Sequence, residues 1–293
     1  MSPFRLPPLT LAALAALYLI WGSTYFAIRI GVDSWPPLLM AGVRFLLAGG
    51  VLALFLLWRG EALPNWRELG SSTLLGVLMP GMGNGLVTVA QKSVSSGVAA
   101  LMVATVPLFT TLCARLFGQR TRPLEWAGMA LGLAGIALLN QGASLSMSPM
   151  GAILLLVACA GWALGSAWSK HLPQPGGLMA SAMMMLMGGL ALLAASAASG
   201  ERLAAAPSFE GWLALGYLVV FGSLIAYNAY LYLLANVSPA TATSYAYVNP
   251  VIAVLLGALF LGEQVGRQEL GALVVIVCGV VLIGWKKDAP RPA

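Results

Sequence analysis

Charge is what this chain has least of. Only 8% of its 293 residues are Asp, Glu, Lys or Arg and 60% are hydrophobic, whereas an ordinary soluble domain is roughly 25% charged. That shortage excludes a water-soluble globular fold. Histidine is nearly missing too: His171 stands alone beside Lys170, which leaves a metal centre little to be built from. The three cysteines, Cys113, Cys159 and Cys278, sit in three different apolar runs with no CxxC pattern. They read as small core residues, not as redox or metal groups. Carboxylates are missing where they would matter most. Glu125, Glu263 and Glu269 lie near the ends of apolar runs and none lies centrally, so neither an acid/base dyad nor a carboxylate proton relay has its parts. The run from Pro80 to Gly85 has neither the G-x-G-x-x-G spacing nor a following Lys-Ser/Thr, so a phosphate loop is not supported. Fifteen Lys and Arg give a net charge of +6, but scattered over short loops they make no continuous face for nucleic acid. No enzyme activity, no cofactor and no metal is expected.

What the chain does have is apolar sequence in long runs. Ten segments of membrane-spanning character are expected, at 11–31, 37–58, 69–91, 95–117, 124–141, 150–170, 177–199, 209–234, 239–261 and 268–286, since a span needs about 20 apolar residues. The first is kept as a span and not a cleaved leader, because bulky residues from Tyr18 to Trp21 occupy the place where a cleavage site wants small ones. Ten spans put both termini on one side. With that side cytoplasmic, ten of the Lys and Arg residues lie inside and Arg29, Lys92, Arg202 and Arg267 lie outside, which follows the positive-inside rule.

The run from Ser93 to Phe117 recurs at Asn236 to Phe260, with Val94, Ser95, Ala99, Pro107 and Phe117 over Val237, Ser238, Ala242, Pro250 and Phe260. Trp21 and Arg29 lie likewise over Trp162 and Lys170. The expected fold is therefore an all-α membrane protein of ten helices, built as a five-plus-five repeat over residues 1–145 and 146–293. Five is odd, so the second half runs through the membrane opposite to the first. Such inverted pairs are a common transporter design, with the solute held between the halves.

Seven of the nine tryptophans fall near segment ends, where an indole is stable at the headgroup level. Trp21 and Trp162 are the exceptions. They either pack helices closely or line a central cavity, together with Tyr25 and Ser166 one turn on. Arg44 is the one charge well inside a span. It costs about 2.5–3.5 kcal/mol at a helix centre, which apolar neighbours returning about 0.3–0.6 kcal/mol each offset. It either contacts a solute carboxylate, bonds to helix carbonyls or snorkels towards the outer surface. Asn84, Thr88 and Gln91 form a polar stripe at i, i+4 and i+7. Tyr227, Asn228, Tyr230, Thr241, Ser244, Tyr245, Tyr247 and Asn249 make a polar and aromatic group that either lines the cavity or packs. Pro80, Pro107 and Pro250 interrupt apolar helical runs and are expected to act as hinges.

Trp21-Gly22-Ser23, Arg44-Phe45, Ser95-Ser96-Gly97-Val98-Ala99-Ala100 leading to Pro107, and Tyr245 leading to Pro250 and Phe260-Leu261-Gly262-Glu263 resemble the EamA branch of the drug/metabolite transporter superfamily. The resemblance covers almost the whole chain. It departs at Gly118-Gln119-Arg120, where Gly-Glu is common, leaving Glu263 alone of that pair. The likeness implies a bacterial inner-membrane secondary transporter of amino acids or related amphipathic solutes, working by alternating access and often exporting. The alternative is a channel-like or structural membrane protein. The partners expected are a small-molecule substrate and the lipid bilayer, without nucleic acid, the chain acting as a monomer or homodimer.

Overall fold

Polar and proline punctuation divides the chain into helices. The computed structural model describes residues 7–116, 123–140, 148–237, 242, 245–262 and 266–284. Thr241, Ser244, Glu263 and the 118–120 departure lie outside them. The helices are α1 (Pro8–Gly31), α2 (Pro37–Trp58), α3 (Trp66–Ala90), α4 (Ser96–Val103), α5 (Val106–Leu116), α6 (Pro123–Asn140), α7 (Pro149–Trp168), α8 (Gly177–Ala198), α9 (Phe209–Asn236), α10 (Tyr245–Phe260) and α11 (Arg267–Gly284). No strand occurs among the described residues.

Six helices, α1, α2, α3, α7, α8 and α9, are long and apolar enough to cross a membrane, and shorter apolar stretches run over Ser96–Thr110, Val248–Phe260 and Leu270–Gly279. Their starts are chemically marked. Pro8, Pro37 and Pro149 open α1, α2 and α7, where a missing N–H has no helical partner to lose. Asn65 and Glu68 form a reciprocal capping box on α3, and Ser148 and Ser208 cap α7 and α9 through the Gly151 and Gly211 N–H groups. The start of α2 is capped from a distance. Glu201, in the connection after α8, accepts from Leu38 N (3.2 Å) and Leu39 N (2.9 Å) and is itself held by Ser196 Oγ at 2.8 Å.

Three long helices widen into π-helical turns in their middles, at Leu17–Trp21 in α1, Val77–Gly85 in α3 and Leu218–Ile225 in α9. Such turns are rare and concentrate at functional sites. Pro80 lies within the second of them. The stretch expected as a fourth span is two helices, α4 and α5, parted at Ala104–Thr105. Pro107 accounts for this break: at the second position of α5 its missing N–H costs nothing, and Thr105 Oγ1 takes up the Met102 carbonyl at 2.6 Å. Pro250 stays inside α10.

The packing pairs α2 with α8, α6 with α11, α3 with α7, and α1 with both α9 and α10. At the α2–α8 crossing the backbones come close. A Cβ on Gly49 would stand 2.5 Å from Leu186 N, and one on Gly189 would stand 2.5 Å from Leu46 N, so only glycine allows the backbones to meet there. Phe45, Tyr227 and Tyr230 are fully buried in the centre, while Leu47, Val51, Leu54 and Phe55 of α2 face outwards, as an apolar solvent permits.

Candidate functional site

The two tryptophans set apart by sequence meet at the centre. Trp21 ends the π-helical turn of α1, Trp162 lies in the regular helix α7, and their rings stand edge to face with centroids 5.4 Å apart. Tyr230 of α9 packs on both, at 5.2 and 5.3 Å. Tyr245 of α10 closes the group at 5.0 Å from Trp21, and Tyr227 reaches Trp162 at 6.0 Å. Each such pair contributes about 0.5–1.5 kcal/mol beyond its buried area.

The two indoles differ in their hydrogen bonds. Trp21 Nε1 donates to Gly222 O, in the π-helical turn of α9, at 3.2 Å. Trp162 Nε1 is buried beside the Tyr230 and Tyr245 hydroxyls but meets no acceptor at hydrogen-bonding geometry. Ser166 donates to the Trp162 carbonyl at 2.8 Å and pairs with the Tyr230 hydroxyl at 3.0 Å.

Against this cluster lies a narrow cleft, with about 50 Å³ open to the centre of a water-sized sphere. It follows α1 from Trp21 through Thr24 and Tyr25 to Ile28, and α3 from Gly83 and Asn84 to Val87. Val103, Val106, Ala158, Cys159, Trp162 and Tyr245 form the rest of the wall. Among the described residues no Asp, Glu, Lys, Arg or His lines it. Rings offer apolar faces, while the Asn84 carboxamide and the Thr24 and Tyr25 hydroxyls offer a few polar contacts, the usual make-up of a small-molecule site. The Cys159 thiol donates to Met102 O at 3.6 Å and accepts from Thr105 Oγ1 at 3.8 Å.

Of the residues singled out by sequence, Trp21, Tyr25, Asn84, Trp162 and Tyr245 share this cleft. The other described ones are not among its lining residues. Thr88 is turned onto Asn84 O at 2.8 Å. Gln91 is fully buried with both side-chain amide atoms unpartnered, while its backbone carbonyl accepts from Arg29. Arg44 lies outside the wall, its Nε donating to Ser223 Oγ at 2.8 Å and its guanidinium 4.6 Å from the Phe45 ring centroid. Among the described residues no carboxylate pairs with it. Tyr227 is buried with its hydroxyl 3.6 Å from Met184 Sδ. Asn228 donates to Leu224 O at 2.7 Å, leaving its buried Oδ1 without a partner. Asn249, its amide turned so that nitrogen faces carbonyls, donates to Tyr18 O at 3.3 Å and Tyr245 O at 3.2 Å.

Thr24, Val103, Val106, Ala158 and Cys159 line the cleft without having stood out in the sequence. Thr24 had a signal, since it follows Trp21 by three residues and so shares its helix face. The small apolar residues had none, because a wall of Ala and Val reads like any packed helix.

The EamA-like transporter family matches this chain twice, over residues 8–141 and 149–285. The chain is 58% identical over 272 residues to "Uncharacterized inner membrane transporter YedA" of Escherichia coli (strain K12), covering 92% of this chain and 89% of that one. It is 28% identical to "Uncharacterized transporter YdfC" of Bacillus subtilis (strain 168), over 90% of this chain and 85% of the relative. One solved structure, described only as a crystal structure of protein, superposes with a TM-score of 0.66 at 22% identity, over 94% of this chain and 96% of its own. That last likeness concerns the fold alone.

Proposed function

The chain belongs to the EamA-like transporter family and is a multi-pass inner-membrane transporter; from this we propose that it is a secondary carrier taking small amphipathic metabolites, amino acids among them, through the cleft between its halves. The observation that carries this reading is the composition of the cleft. Trp21, Tyr25, Asn84 and Val106 come from the first half and Ala158, Cys159, Trp162 and Tyr245 from the second, so relative movement of the halves would open or close it. The rings suit an apolar body, and the single carboxamide and the hydroxyls of Thr24, Tyr25 and Tyr245 suit a polar end.

In this reading the ten spans form two five-helix repeats, residues 1–145 and 146–293, of opposite orientation with both termini cytoplasmic. The double family match and the reciprocal glycines of α2 and α8 support it. Access alternates between faces as one half rocks against the other, with Pro80, Pro107 and Pro250 at the places where α3, the α4–α5 pair and α10 can bend. Export is the direction that the family resemblance favours. The chain works with a solute and the bilayer alone, as a monomer or homodimer.

The test is reconstitution in proteoliposomes, with a panel of radiolabelled amino acids and with or without an imposed proton gradient. Saturable uptake accelerated by solute on the far side supports the carrier. Flux that rises linearly with concentration and shows no counterflow makes the protein a channel and overturns alternating access.

A further inference from the structure

Arg44 carries a charge that the packing around it does not use. It is 3% exposed, so it does not snorkel to a membrane surface, and no backbone carbonyl among the described residues accepts from it. The one acceptor there that its fork of N–H donors meets is Ser223 Oγ, 2.8 Å from Nε in the π-helical turn of α9. A hydroxyl satisfies one donor and neutralises nothing. A neutral donor such as glutamine would tie α2 to α9 as well, without the cost of burying an uncompensated charge. Cations kept inside a membrane-spanning bundle at such cost mark solute or ion pathways.

Two observations set the guanidinium against the cleft. The first is Gly222. A Cβ there would stand 3.0 Å from Arg44 Nη2 and 3.2 Å from Thr24 Cγ2, so the charge and a cleft-lining side chain approach each other across the place where Gly222 has no side chain. The Gly222 carbonyl in turn accepts from Trp21 Nε1, on the aromatic wall of the cleft. The second is access. Neither Nη atom meets an acceptor among the described residues, yet neither is among the polar core atoms sealed from water. The tip of this nearly buried side chain therefore faces space large enough to touch water.

We propose that Arg44 sets the charge selectivity of the cleft, favouring amphipathic solutes that carry a carboxylate over cationic ones, with the solute's apolar body among the Trp21–Trp162 rings and its carboxylate on the Thr24 side, towards the guanidinium. The proposal rests on the carrier reading above and names its substrate class. Arg44 does not need to line the cleft to act in this way, because the Coulomb interaction falls only as the inverse of distance. At an effective dielectric of about 20, unit charges about 8 Å apart change an equilibrium on the order of thirtyfold. Nothing nearer opposes this field. Among the described residues the wall carries no charged side chain, and Arg29, next after the lining residue Ile28, is paired with Asp33 at 3.2 Å.

The experiment is equilibrium binding to the purified full-length protein, in one detergent at neutral pH, of radiolabelled probes that share a ring and differ in charge: phenylpropanoate (anion), phenylalanine (zwitterion) and phenylethylamine (cation). The wild type is expected to bind the two carboxylates at least tenfold more tightly than the amine. Arg44→Met and Arg44→Gln should bring all three within about threefold of one another, while Arg44→Lys, which keeps the charge, should keep the order. The glutamine variant retains a donor for Ser223 and serves should the methionine variant fold poorly. A purely structural role for Arg44 would lower the three affinities together and leave their ratio unchanged. A wild type that binds the probes alike or binds none of them, or neutral variants that keep the wild-type ratio, overturns the proposal. Failure of the carrier reading shows separately, as missing counterflow in an unmodified protein whose binding still follows charge.

Discussion

Gly49 and Gly189 are each other's counterparts at the α2–α8 crossing: a Cβ on the first would strike Leu186 N and one on the second would strike Leu46 N, both at 2.5 Å. Residues 46 and 186 are separated by the same 140 positions as 49 and 189, so each helix does to its partner what the partner does to it. This self-complementary contact is the geometry of a two-fold axis, here within one chain. The atoms struck are backbone atoms, which cannot rotate away. Gly49→Leu or Gly189→Leu is therefore expected to cost more than the usual 1–3 kcal/mol of an overpacked core. Gly50→Ala is the control, because a Cβ there meets only Leu186 Cδ1 at 4.0 Å. Thermal unfolding in detergent should show a large loss of Tm for the first two and no change for the third.

A second effect at the same helix comes from its start. Glu201 takes the N–H groups of Leu38 and Leu39, which Pro36 and Pro37 just before them cannot cap. Glu201→Ala frees both donors and is expected to lose about 0.5–2 kcal/mol, the range of a lost helix cap. Glu201→Gln, which keeps one oxygen acceptor, should lie between. Hydrogen exchange at Leu38 and Leu39 gives the local readout: exchange should quicken in the order wild type, Gln, Ala.

Much of this architecture is legible in the sequence, because in a membrane the apolar runs report the spans directly. Trp21 and Trp162 were legible for the same reason, being the tryptophans that do not sit at segment ends. The polar stripe of α3 was less so. Asn84 faces the cleft while Thr88 folds back on the Asn84 carbonyl and Gln91 is buried elsewhere, since a stripe marks a shared face without saying which part of it meets a cavity. The π-helical turn through Gly85 further rotates everything after it relative to a regular helix. Pro107 announced a bend in this run, but not that the run would part into two helices ahead of it, at Ala104–Thr105. The Ser223 partner of Arg44 lies 179 positions away, beyond any local pattern.

Arg44 and Ser223 form a buried pair in which the charge has no carboxylate among the described residues. Removing only the hydroxyl leaves the Nε donor orphaned, so Ser223→Ala is expected to destabilise by about 1–3 kcal/mol. Arg44→Met removes the buried cation and keeps the packing on Phe45, and hydrophobic replacement of buried charge is often neutral or stabilising. The double variant Arg44→Met/Ser223→Ala should then be no less stable than Arg44→Met alone, giving a coupling energy of about 1–3 kcal/mol in a double-mutant cycle. Additive losses would mean that Arg44 and Ser223 act independently.

The two tryptophans, alike in ring and in repeat position, should respond differently to loss of the indole N–H. Trp21→Phe keeps a ring among Trp162, Tyr230 and Tyr245 but deletes the bond to Gly222 O. Trp162→Phe deletes an N–H that makes no hydrogen bond in this state. A net hydrogen bond is worth about 0.5–1.5 kcal/mol, so Trp21→Phe should be the less stable variant by about that amount, once both have lost the same ring volume. Thermal unfolding of the two variants side by side in one detergent isolates the difference, since the common loss of packing cancels. Equal Tm values would mean that the Trp21 bond to Gly222 O adds no net stability.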